Sequence, residues 1–111
     1  MPAFIKSVTF DCADALRLAQ FWAETLGSNV DEEATRDKAF VEAAQWGGPN
    51  LWFNAVAEHK TAKNRLHFDL RAPGAIQAEV QRLIGLGASI SHDGSDIVVM
   101  ADPEGNEFCV E

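Results

Sequence analysis

The chain has no tyrosine, only two cysteines, and nine lysine and arginine residues against seventeen aspartate and glutamate residues. Its formal net charge of -8 leaves no basic surface for the phosphates of nucleic acid and disfavours contact with anionic membranes. No apolar run approaches the ~20 residues of a membrane span. Residues 1–6 lack a basic leader followed by an apolar stretch, so we expect no signal peptide. We therefore expect a cytoplasmic protein with neither nucleic acid nor a membrane as partner.

Cysteine usage points the same way, because Cys12 and Cys109 lie far apart and form no C-x-x-C motif. In a cytosolic chain, two such residues indicate reduced thiols rather than a disulfide. The length of 111 residues predicts one domain, residues 1–111. A content of 47% hydrophobic residues is enough to form a core without disulfide bonds.

Hydrophobic periodicity predicts the same succession of elements twice. The first half reads as a strand, a helix closed by Gly27, a polar edge strand and a hairpin around a Trp-Gly-Gly-Pro-Asn turn, at residues 4–11, 14–26, 29–33, 38–45 and 51–56. Asp11 is the predicted helix cap. After a polar linker, the second half reads as a strand, a helix and three strands, at residues 65–71, 74–86, 88–92, 96–101 and 106–110.

The two halves match at an offset of about 60 residues, too long for a solenoid repeat. We predict an α+β fold of duplicated βαβββ modules, about 3–56 and 65–111, that form a curved, cup-like mixed β-sheet with the helices outside. Strand alternation then assigns the polar side chains to the concave face. These are Ser7, Thr9, Trp52, Asn54, His67, Asp69, Glu107 and Cys109.

Three segments resemble the vicinal-oxygen-chelate superfamily, which includes glyoxalase, bleomycin resistance and dioxygenase proteins. Residues 14–27 end in Phe-Trp-Ala-Glu-Thr-Leu-Gly and are similar to that superfamily's first helix. The turn Asp-Pro-Glu-Gly-Asn at 102–106 resembles the one before its last strand. Residues 64–70, Asn-Arg-Leu-His-Phe-Asp-Leu, resemble the fifth strand of an actinobacterial glyoxalase-like subgroup.

The resemblance implies a divalent metal held by side chains from the first, fourth, fifth and eighth strands. The matching positions carry Ser7, Asn54, His67 and Cys109, of which only His67 is a standard ligand of the family. We therefore predict a protein without the family metal or another cofactor, which binds a small organic molecule through Ser7, Trp52, Asn54, His67, Glu107 and Cys109. Homodimerisation is expected by analogy.

The alternative is a metal-dependent lyase, isomerase or dioxygenase centred on His67, with a zinc site formed by His67, Cys109 and Glu107. Each of these residues also has a structural interpretation. His67 is a ligand or a general base, or else a strand histidine hydrogen-bonded beside Asp69. Cys109 is a thiolate or a small buried hydrophobe, and Glu107 is a base of raised pKa or a solvated rim residue. Whether the chain catalyses a reaction is left open.

Overall fold

The computed structural model describes residues 1–43 and 47–111 and has an α+β fold, which confirms the predicted fold class. The chain divides into two compact units, Met1–His59 and Lys60–Glu111. The first unit contains β1 (Ser7–Cys12), α1 (Ala15–Leu26), β2 (Lys38–Val41) and β3 (Asn50–Ala55). The second unit contains β4 (Asp69–Leu70), α2 (Ile76–Leu86), β5 (Ser89–Asp93), β6 (Val98–Ala101) and β7 (Glu107–Val110).

Each unit contains a small mixed sheet, of three strands in the first unit and four in the second, and the three strands they share are connected in the same way. In the first unit the strand order is β1-β3-β2, with β1 parallel and β2 antiparallel to β3. In the second unit the order is β4-β7-β6-β5, with β4 parallel and β6 antiparallel to β7. A strand that precedes a helix thus pairs in parallel with the last strand of its own unit, which is the duplication expected from the sequence.

The first helix is bounded by residues whose chemistry stops a helix. Asp14 is the N-cap, and its carboxylate accepts a hydrogen bond from the Arg17 backbone N–H at 3.1 Å. The prediction of Asp11 as cap was wrong, because Asp11 lies within β1, opposite Asn54. Gly27 closes the helix in the left-handed conformation at φ 71°, as predicted, because a side chain there would be strained.

The core of the first unit lies between α1 and one face of its sheet. The Phe10 ring stacks on Phe53 at 5.0 Å between centroids and contacts Trp22 of α1 at 5.7 Å. Trp22 and Phe53 are fully buried. The sheet face that bears Phe10 and Phe53 is therefore covered by the helix, and alternation directs the intervening side chains to the other face.

The core of the second unit has the same construction. Val80 and Leu83 of α2 are fully buried, and so are the alternate strand residues Val98, Met100, Phe108 and Val110. Between them along β7, Cys109 is only partly buried. Thus Cys109 and its neighbours on that face point away from the core, as the alternation predicted.

Two strands differ from their predicted extent. Residues 29–33 form only an isolated bridge, Val30 to Val41, because the Asp31 carboxylate accepts the Phe40 N–H at 2.9 Å and replaces part of a backbone ladder. The strand predicted over 65–71 is reduced to Asp69–Leu70, and Leu66, expected to face a helix, is 84% exposed.

Shorter boundary shifts affect the remaining predictions. The first strand begins at Ser7, which leaves Phe4 84% exposed ahead of it. The end of the strand predicted over 38–45, and Trp46 in the predicted hairpin turn, lie outside the described residues. Within residues 1–43 and 47–111, neither helix is long and apolar enough to cross a membrane.

Candidate functional site

The helix-free face of the first sheet carries three of the predicted ligand-binding residues. In the register of β1 with β3, Ser7 lies opposite Asn50, Thr9 opposite Trp52 and Asp11 opposite Asn54. These positions alternate with the core residues Phe10 and Phe53. The structure therefore brings Ser7, Trp52 and Asn54 to one face of a single three-stranded sheet.

An aromatic pair dominates this face. Trp52 lies opposite Phe40 of β2, with ring centroids 4.5 Å apart and an interplanar angle of 49°. The Lys38 ammonium lies 5.2 Å from the Trp52 ring centroid, a cation–π distance. Both rings are half-buried, so each keeps accessible surface. Phe40 and Lys38 were not predicted as site residues, because only the β2–β3 register shows that they adjoin Trp52.

In the second unit, the helix-free face brings together an imidazole, a carboxylate and a thiol. Asp69 of β4 lies opposite Cys109 of β7, and His67 precedes Asp69 by two residues. His67 Nδ1 is 3.4 Å from Asp69 Oδ1. One ligand atom from each of His67, Asp69 and Cys109 lies within 4.8 Å of the other two. We call this group the His–Asp–Cys cluster.

The order of groups in the cluster decides the chemistry of the thiol. Burial, the negative charge of Asp69 and a hydrogen bond to that carboxylate raise the pKa of Cys109. A nucleophilic cysteine needs the opposite, a neighbouring cation or an imidazole that accepts its proton. Because the Asp69 carboxylate accepts a hydrogen bond from the thiol and also lies beside the imidazole, the cluster does not contain a preformed thiolate nucleophile.

Glu107 is held in a different set of contacts. Its carboxylate pairs with the Lys60 ammonium at 2.8 Å and accepts the Asn64 backbone N–H at 3.2 and 3.3 Å. The hydrogen bond from Lys60 is the main cause that holds the pKa of Glu107 below its usual value, against the opposing effect of burial. The interpretation of Glu107 as a base of raised pKa is therefore wrong. These contacts also tie residues 60–64 to β7.

The first unit also has a shallow pocket near the end of α1, of about 110 Å³. It is lined by Gln20, Ala23, Glu24, Ser28, Asn29 and Val30. Pockets that enclose drug-sized ligands are typically about 300–1,000 Å³. This pocket is therefore too small for such a ligand, and it contains none of the predicted site residues.

Comparison with known proteins agrees with this architecture. The family model described as a glyoxalase-like domain matches residues 7–111. A structure of a glyoxalase/bleomycin resistance protein/dioxygenase family enzyme from Burkholderia phytofirmans is 21% identical, with a TM-score of 0.73 and 97% coverage of each chain. A lactoylglutathione lyase from Agrobacterium tumefaciens is 16% identical with a TM-score of 0.63, covering 99% of this chain and 93% of its own.

The genomically encoded fosfomycin resistance protein of Listeria monocytogenes superimposes with a TM-score of 0.74 at 10% identity, covering all of this chain and 92% of its own. At these identities the likeness establishes the fold alone. A search of functionally curated proteins finds no match. The chain belongs to the glyoxalase-like domain family.

Proposed function

We propose that this protein binds a planar small organic molecule on the helix-free face of its first sheet and lacks the divalent metal centre of its superfamily. The observation that carries the proposal is the half-buried pair of Trp52 and Phe40 with the Lys38 ammonium beside it. Aromatic rings that keep accessible surface bury a large apolar area when a planar ligand stacks on them. Binding sites combine such surfaces with a few convergent polar groups.

Polar groups flank the aromatic pair on the same face. Ser7 and Thr9 on β1 offer hydroxyls, and Asn54, two residues after Trp52, offers an amide that both donates and accepts. Such groups would fix the orientation of a ligand whose flat face lies on Trp52. On the helix-free face of the second unit, His67, Glu107 and Cys109 remain candidates for ligand contact.

The donor set supports the absence of the superfamily's own metal centre. The positions that match the family's ligands carry a hydroxyl, an amide, an imidazole and a thiol, at Ser7, Asn54, His67 and Cys109. This set contains no carboxylate, and Glu107, the nearest one along β7, is already paired with Lys60. Hard ions such as Mg²⁺ and Mn²⁺ require carboxylate and other oxygen donors, so the four residues do not fit a centre of that kind.

The test is ligand screening with paired tryptophan variants. A panel of planar heteroaromatic acids and neutral bicyclic compounds is screened by thermal shift, and hits are titrated by calorimetry. We expect Trp52→Ala to weaken binding about tenfold, equivalent to about 1.4 kcal/mol. Lys38→Met should weaken binding of the acids more than that of the neutral compounds.

The matched control is Trp22→Phe, which alters a tryptophan of α1 that is buried against the sheet and should leave the affinity unchanged. Absence of any binder in the panel, or a hit bound equally well by Trp52→Ala, would contradict the proposal.

A second candidate function is a metal-dependent lyase, isomerase or dioxygenase centred on His67. The observation that favours it is the proximity of His67 to Asp69 and Cys109. Vicinal-dioxygen compounds would be assayed with and without added metal. Activity that persists in His67→Ala would remove this candidate.

The finer assignments from the sequence are also proposals. We propose that the protein is cytoplasmic, that it falls in the actinobacterial glyoxalase-like subgroup, and that it forms a homodimer. Sedimentation velocity at micromolar concentration tests the last of these, and a monomer mass would refute it.

A further inference from the structure

The β4–β7 strand pair and the segment just before β4 bring three different metal-binding groups together in the second unit. Asp69 lies directly opposite Cys109 in the β4–β7 pair, and the backbone is fixed there by the hydrogen bond from the Cys109 N–H to the Phe68 carbonyl at 2.9 Å. His67 lies on the same face, with Nδ1 3.4 Å from the Asp69 carboxylate. The three donor atoms lie within 4.8 Å of one another.

We propose that His67, Asp69 and Cys109 bind a borderline-soft divalent cation of the Zn²⁺ class within the second unit. Thiolate and imidazole are the donors that such ions prefer, and a carboxylate completes a three-residue set that leaves one coordination position open. The proposed site is independent of planar-ligand binding, and it differs from a centre assembled at Ser7, Asn54, His67 and Cys109. Compared with the zinc site predicted from the sequence, which consisted of His67, Cys109 and Glu107, the proposed site has Asp69 in place of Glu107.

The geometry is close to what a tetrahedral ion needs. With metal–ligand bonds of about 2.0–2.3 Å, donor atoms around Zn²⁺ are separated by roughly 3.3–3.7 Å. The His67–Asp69 separation of 3.4 Å already falls in this range. The longest separation between donor atoms, up to 4.8 Å, must shorten by about 1 Å to reach this range. Side-chain rotation can supply this shortening, because the side chains of His67 and Asp69 are 39% and 57% exposed and unconstrained by core packing.

The surroundings favour a cation over an anion. The negative charges of Asp69 and Glu111 both raise the pKa of the Cys109 thiol, and the positive charge of Lys63 opposes them. Glu111 is paired with Arg71 at 3.5 Å, whereas the ion pair that Asp69 makes within residues 1–43 and 47–111 is with His67 of the cluster. Glu107 is occupied by Lys60, so Asp69 is the carboxylate available to a bound ion.

The test uses the full chain, purified without a His tag, stripped with a chelator and titrated with Co²⁺ and then with Zn²⁺ in competition. We expect one Co²⁺ per chain and a near-ultraviolet thiolate-to-cobalt charge-transfer band, displaced by Zn²⁺. Cys109→Ser should abolish the band. His67→Ala and Asp69→Asn should each weaken binding at least tenfold.

Two controls distinguish the cluster from other thiols and carboxylates. Cys12→Ala removes the other cysteine, which is buried and hydrogen-bonded to the Asn54 carbonyl, and should keep the band. Glu107→Gln should bind within twofold of the parent chain, and Trp52→Ala should leave Co²⁺ binding unchanged, which separates this proposal from the ligand-binding one.

Substoichiometric metal in the parent chain, a band that survives Cys109→Ser, or a larger loss in Glu107→Gln than in Asp69→Asn would each overturn the proposal. Because His67 and Asp69 are exposed, their variants should keep the far-ultraviolet dichroism of the parent chain. The Co²⁺ affinities of these two variants therefore test the proposed site even if Cys109→Ser unfolds.

Discussion

Truncation of two adjacent residues of β3 to alanine should destabilise the protein to very different extents. Phe53 is fully buried and stacks on Phe10, whereas Trp52 is half-buried on the other face of the sheet. Truncation of a buried phenylalanine to alanine costs about 3–5 kcal/mol, because a cavity is left behind. For 111 residues, 1 kcal/mol corresponds to roughly 4 °C in Tm. Phe53→Ala should therefore lower Tm by about 12–20 °C.

Trp52→Ala should cost much less. It removes one aromatic pair with Phe40, about 0.5–1.5 kcal/mol, and an exposed cation–π contact with Lys38, about 0.5–1 kcal/mol. The expected loss of stability is about 1–2.5 kcal/mol, and ligand binding should weaken about tenfold. Urea unfolding followed by circular dichroism measures both variants against the parent chain, with the m-value as the check on two-state behaviour. If Trp52→Ala destabilises as much as Phe53→Ala, Trp52 is a core residue and the proposed binding face is wrong.

Three further predictions concern the helices. Glu79, in the first turn of α2, accepts two hydrogen bonds from Arg82 at 2.8 Å, which hold its pKa below the ordinary 4.5. Its contribution of up to about 1 kcal/mol is present above pH 4.5 and disappears as the pH falls through the lowered pKa. The stability gap between the parent chain and Glu79→Gln should therefore close in acid, and a constant gap between pH 7 and 3 would contradict this. Asp14→Ala should cost about 1 kcal/mol in urea unfolding, because the N-cap bond is lost, and an unchanged midpoint would assign the cap elsewhere. Gly27→Ala should cost about 1 kcal/mol from backbone strain alone, since a Cβ there meets no atom within 4 Å; a loss above about 3 kcal/mol would indicate a steric cause.

Local rules were sufficient for the elements that depend on local signals. The helix ending at Leu26 and the following left-handed Gly27 were predictable, since the apolar spacing and the glycine are both read within a few residues. The segment at 29–33 was not, because the Asp31 side chain competes with the backbone for the Phe40 N–H. Such competition depends on a partner nine residues away.

The candidate sites divide in the same manner. Alternation placed Trp52 and Cys109 on the faces that the helices leave free, because side chains on a strand alternate whatever the partner strand is. The partners of these residues could not be predicted. Phe40 contacts Trp52 because of the β2–β3 register. Glu107 pairs with Lys60, which lies in a segment that was predicted to be a polar linker.

The sequence by itself determined the α+β class, the duplicated order of elements, the glycine that ends the first helix and the faces on which polar side chains lie. These follow from periodicities and backbone preferences that act over a few residues. The tertiary structure decided that Asp69 lies opposite Cys109, that Glu107 is neutralised by Lys60, and that Trp52 shares its face with Phe40 and Lys38. Each of these contacts depends on strand register or on chain folding over longer distances, and a shift of one residue in register would move every side chain of a strand to the opposite face.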